Sequence, residues 1–132
     1  MKVARWIYLI AGVYGILALL PSFFLEKMVT PPETHPEFYF GFFGSALVWQ
    51  FVFLLISRDP MKWRPLMPIT FLEKIAFFVP SMWLHFTGRL PMGGPLIGGM
   101  IDGMLLALFI FAWWRTRDSA KGAASMGALT LS

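Results

Sequence analysis

Apolar residues fall into four runs separated by short polar segments. Each run is close to the ~20 residues needed to cross a ~30 Å hydrocarbon core. They extend roughly from Arg5 to Leu25, Phe38 to Ser57, Leu66 to Thr87 and Leu96 to Trp114. None shows the strict alternation of a half-buried strand, so the pattern predicts an all-α integral membrane protein. The connections are short, which makes consecutive helices antiparallel neighbours and predicts a four-helix up-down bundle over residues 1–115. Residues 116–132 are rich in Ala, Gly and Ser and have no periodic apolar face; a disordered cytoplasmic tail is expected there.

The third run carries charge within it. In "ITFLEKIAFFVPSMWLHF" (69–86) the stretch from Ile75 to Phe86 is too short to span alone, and membrane length is reached only with Glu73 and Lys74 inside the helix. Charge supports the span. With the N-terminus cytoplasmic, the inner flanks hold Lys2, Arg5, Arg58, Lys62, Arg64, Arg115, Arg117 and Lys121, and the outer loops hold only Lys27 and Arg89. Basic residues gather on the cytoplasmic side of membrane helices, so the expected orientation has both termini inside. Deleting the third span would put the last two clusters on opposite sides. The first run has twice the apolar length of a signal peptide and no clear small-residue cleavage site, which makes it a retained helix.

Composition agrees with the pattern. Of 132 residues, 58% are hydrophobic and 14% charged, with a mean hydropathy of +0.68, more apolar surface than a soluble chain of this length could bury. The net charge of +4 comes from clusters at span ends, which points to topology and away from nucleic acid. There are no cysteines, so disulfides, thiol catalysis and thiolate metal sites are excluded. There is no phosphate-binding loop, no paired histidines at ligand spacing and no nucleophile elbow, and no metal or cofactor is expected.

Candidate chemistry therefore rests on isolated polar residues. In the outer loop, Thr34 followed by Glu37 fits a capping box opening the second helix with Pro36 in its first turn, and His35 is left over as an outer-mouth candidate together with Glu37. Gln50 lies mid-span, where an interhelical hydrogen bond is its expected role. Lys74, Phe78, Ser81 and His85 share one stripe of the third helix, which Pro80 is expected to kink. Glu73 and Lys74 sit about two turns from the inner end, where Lys can snorkel to the interface and Glu can pair with Lys62 or Arg64. As neighbours they point about 100° apart and are poorly placed to pair with each other. Asp102 is the sharpest signal. It lies about two turns from the outer surface, with His85 and Arg89 as candidate partners, and its burial there costs ~2.5 to 3.5 kcal/mol on insertion scales. In the same helix, Gly94 with Gly98 and Gly99 with Gly103 permit close helix approach.

The segments "YLIAGVYGILALLPSFFLE", "THPEFYFGF", "SRDPMKWRPLM", "LEK" and "IDG", in this order, resemble a group of small, uncharacterised bacterial four-helix membrane proteins over nearly the whole chain to Arg117. More distantly, size and layout are similar to DoxX-like membrane proteins. The resemblance implies a multi-pass protein of the bacterial inner membrane and transfers no catalytic residue.

Three functions remain in competition. The first is a binding or accessory protein that holds an apolar small molecule, or docks a larger membrane complex, with Asp102, His85 and Gln50 fixing geometry. The second is a small membrane enzyme on a lipid-like substrate, with Asp102 or Glu73 as acid or base and His85 or Lys74 as partner. The third is a proton- or ion-coupled transporter, which four helices would build more readily as a homo-oligomer. The first is preferred.

Overall fold

The computed structural model describes residues 2–28, 34–117, 121–122 and 125–127. Four helices dominate it: α1 (Lys2–Leu19), α2 (Pro36–Arg58), α3 (Met67–Phe86) and α4 (Gly94–Arg115). With the short 3₁₀ turns that extend two of them, all four are long and apolar enough to cross a membrane, and the chain is by that measure a multi-pass membrane protein. No strand occurs among the described residues. The helices alternate in direction, so both ends of the bundle's chain lie on one side, called here the termini end.

Proline and glycine set the boundaries. Proline stands at the first or second position of α2, α3 and α4, where the missing N–H would have no intrahelical partner anyway. Gly88, at φ +79°, adopts the left-handed backbone that closes α3, and its N–H bonds the His85 carbonyl. The expected first span to Leu25 is split, because Pro21 starts a 3₁₀ turn, Pro21–Phe24, after α1 ends at Leu19. The expected capping box is absent: α2 starts at Pro36 with His35 in the cap position and no side chain capping it. Helix α3 continues through Pro80. Of the expected tail, residues 118–120, 123–124 and 128–132 lie outside the described residues, while 117, 121–122 and 125–127 have helical backbone.

The bundle is two hairpins, α1 with α2 and α3 with α4, joined mainly where α1 meets α4; α2 and α3 touch little. Small residues explain both close pairings. A Cβ on Gly99 would come within 2.5 Å of Ser81 Cβ, and one on Gly103 would strike the Phe78 ring, so only glycine admits α3 at this distance. A Cβ on Gly15 would overlap the Gln50 amide, which fills that notch of α1.

The core sits toward the termini end. Tyr8 stacks on Phe109 with ring centroids 4.3 Å apart, Phe53 meets Phe109 edge-on at 5.0 Å, and all three are fully buried. The Tyr8 phenol lies 2.9 Å from Thr70 Oγ1, whose own proton goes to the Met67 carbonyl at 2.6 Å, so Tyr8 is the donor between α1 and α3. Below this core, Arg64 stacks on Trp113 at 3.6 Å and donates to Thr116 Oγ1 and to the Trp113 carbonyl, both at 2.9 Å. The α2–α3 loop is thereby fastened to the last turn of α4.

Candidate functional site

Three charged side chains meet inside the bundle. Lys74 of α3 is 4% exposed; its Nζ donates to Asp102 Oδ1 of α4 at 3.1 Å and lies 3.5 Å from Glu73 Oε2. The side chains of Glu73 and Asp102 are 14% and 18% exposed. The Phe53 ring covers the ammonium from the termini side, with its centroid 5.0 Å from Nζ.

The register of α3 against α4 explains the meeting. Ser81 opposes Gly99 and Phe78 opposes Gly103, so the residue level with Lys74 would be Leu106 or Ala107. Asp102 lies four or five residues farther from the termini end, about 6 to 7.5 Å of rise. A lysine chain covers that distance. Lys74 therefore reaches deeper into the membrane region, opposite to the expected snorkelling toward the near interface. In that direction it finds a carboxylate, and the Phe53–Phe109–Tyr8 cluster fills the other.

Two further expectations change with it. Glu73 does pair with its neighbour Lys74, because both chains are long and converge on the α4 side; Arg64, one of its expected partners, is spent on Trp113 and Thr116. Asp102 is partnered by Lys74 rather than by His85 or Arg89. His85 Nδ1 donates to the Leu90 carbonyl at 2.9 Å and stabilises the α3–α4 turn, and Arg89 is exposed there. Gln50 is 2% exposed, but its amide donates to the Ala46 carbonyl of its own helix at 2.8 Å rather than across helices. His35 and Glu37 pair with each other at 3.3 Å in exposed positions at the far end of the bundle. Among the described residues, no three His, Asp or Glu side chains gather as metal ligands.

Among the described residues, the buried side-chain atoms without a hydrogen bond are acceptors. Glu73 Oε2 is buried without a hydrogen-bond partner, its distance to Lys74 falling short of bonding geometry, and Gln50 Oε1 is likewise unpartnered. Asp102 Oδ2 accepts no bond among the described residues. One lysine faces two carboxylates, so with every group ionised the site carries one negative charge in excess.

The two grooves that flank α1 are open and apolar. One, of about 610 Å³, runs along Trp6, Leu9, Ile10, Val13, Tyr14 and Leu17. The second, of about 460 Å³, shares Trp6 and Ile10 and continues onto Leu105 and Leu108 of α4. Tyr14 brings the first groove to the level of the site: it lines that groove six residues along α1 from Tyr8, and Asp102 lies seven residues back along the antiparallel α4 from Phe109, on which Tyr8 stacks. The aromatic residues of the core are buried against one another, and both of these concavities lie on the bundle's flank. Glycine use is also divided, since Gly99 and Gly103 are consumed by α3 while Gly94 meets nothing within 4 Å. The Tyr8–Thr70 bond and the Arg64 clamp escape a sequence reading, which takes Tyr8 as part of an apolar run and Arg64 as a topology signal.

Comparisons with protein-family models, curated proteins and solved structures find no match.

Proposed function

We propose that the protein binds an amphiphile within the membrane, with its apolar body along the α1 groove and its polar head at Lys74, Asp102 and Glu73. The observation that carries this reading is at Tyr14, where an apolar groove open to lipid reaches the level of a part-exposed carboxylate with an unused oxygen. Charged side chains within membrane helices are costly and mark function by default. The distribution of basic residues supports a placement with both termini cytoplasmic, and the family resemblance supports a bacterial inner membrane.

Native mass spectrometry from mild detergent tests the reading. The wild-type protein should retain a small amphiphile, and Asp102→Asn should assemble yet lose it. Asn preserves shape and leaves Lys74 balanced by Glu73, so the variant stays folded. Equal retention by both proteins contradicts the proposal.

The buried Glu73 oxygen, 3.5 Å from Lys74 and without a hydrogen bond, supports a second reading, acid–base chemistry on the bound molecule. It requires that the molecule be converted by wild type and not by Glu73→Gln. Transport draws less support: Ser81, the polar residue between Lys74 and His85 on their shared stripe, gives its proton to the Phe77 carbonyl, and the buried aromatic trio fills the termini side.

A further inference from the structure

Resting on the amphiphile reading, we infer that the head group this site selects is cationic, a protonated amine, in preference to a neutral alcohol or an anion. Two independent features lead there. The first is the inventory of atoms: Asp102 Oδ2 accepts no bond among the described residues, Glu73 Oε2 has only its 3.5 Å ion-pair contact with Lys74 and no hydrogen bond, and the one nearby donor group, the Lys74 ammonium, is already shared between the two carboxylates. An incoming head finds acceptors to satisfy and no free donor. The second is charge. With both carboxylates ionised, two negative charges against one ammonium leave an excess in a low-dielectric region, and a bound ammonium both favours that ionised state and brings the site to neutrality. A charge-assisted hydrogen bond is also roughly twice as strong as a neutral one.

Position sharpens the class of ligand. Asp102 lies eight residues into α4 from its far end, about 12 Å of rise, so the head sits well below the interface where ordinary lipid heads lie. The groove is lined by aliphatic and aromatic side chains over the length from Trp6 to Leu17, about 16 Å along α1. A single alkyl chain or a slender ring system bearing one amine fits that description.

The test uses the full chain in phosphatidylcholine nanodiscs with two matched probes, 12-bromododecylamine and 12-bromododecanol, whose bromine quenches tryptophan on contact. Trp6 lines both grooves, so the quenching lost in Trp6→Phe is the site-specific component. For that component, the amine should reach half-saturation at about tenfold lower membrane concentration than the alcohol, the ratio expected when a charge-assisted bond replaces a neutral one. Asp102→Asn and Glu73→Gln each remove the excess carboxylate while keeping Lys74 paired, and each should bring the ratio close to one. Saturation by the alcohol at the same or lower concentration in the wild type overturns the inference and leaves the amphiphile reading standing. A Trp6 component that neither probe saturates overturns both.

Discussion

The Lys74 ammonium donates a 3.1 Å hydrogen bond to Asp102 Oδ1, joining α3 to α4 by reaching away from the end that carries the termini. Removing one member of a buried ion pair leaves an uncompensated charge, which costs about 3 to 5 kcal/mol. Lys74→Met is therefore expected to lower thermal stability in detergent sharply, because it leaves Glu73 and Asp102 facing each other. A triple replacement, Lys74→Met with Asp102→Leu and Glu73→Gln, removes the charge problem and should recover most of the loss. A stable Lys74→Met protein would show that the pair does not hold the bundle.

The close approach of α3 and α4 depends on two glycines. Gly99→Val and Gly103→Leu force Ser81 and Phe78 outward, and overpacking of this kind costs about 1 to 3 kcal/mol. Gly94→Ala meets open space and should be near neutral. Melting temperatures of the three variants, measured in one detergent, give the comparison.

Tyr8 and Thr70 make separable contributions. Tyr8→Phe deletes a donor and should cost about 1 kcal/mol. Thr70→Val is expected to cost more, about 1 to 3 kcal/mol, since the Tyr8 hydroxyl is then left buried without its partner. Equal losses would mean that the bond is not made as described.

Arg64→Lys keeps the charge but removes the planar stack on Trp113 and one of two directed hydrogen bonds. Faster amide exchange is expected in residues 59–66 and in the last turn of α4, with the Lys74 site unaffected. Unchanged exchange would show that the loop is held by other contacts.

Topology is open to a direct check because the chain contains no cysteine. Cysteine placed at exposed His35 should react with an impermeant maleimide from outside intact cells, and cysteine at exposed Lys62 only after the membrane is opened. The reverse pattern would invert the orientation.

Much of the architecture is legible in sequence because hydropathy and proline act locally. Four apolar runs give four helices, and Pro36, Pro68 and Pro95 stand at helix starts. The stripe through Lys74, Phe78 and Ser81 does face α4. What sequence could not supply is the register between helices. Counting turns from each helix end puts Lys74 near one surface and Asp102 near the other, and their contact depends on how far α3 slides along α4. That offset is set by Gly99 and Gly103 together with Ser81 and Phe78, a tertiary fit with no local signature. The same holds for Gln50, whose partner in space is the Gly15 notch.

The central claim, a specific amphiphile at the α1 groove, is tested most directly by photo-crosslinking in native membranes. A photoreactive residue at Val13, in the groove, is compared with one at Phe51, exposed on α2. Mass spectrometry of the adducts should give one dominant amphiphile at Val13, absent at Phe51 and lost when Asp102→Asn is added. The same bulk lipid mixture at both positions, unchanged by Asp102→Asn, would contradict the account.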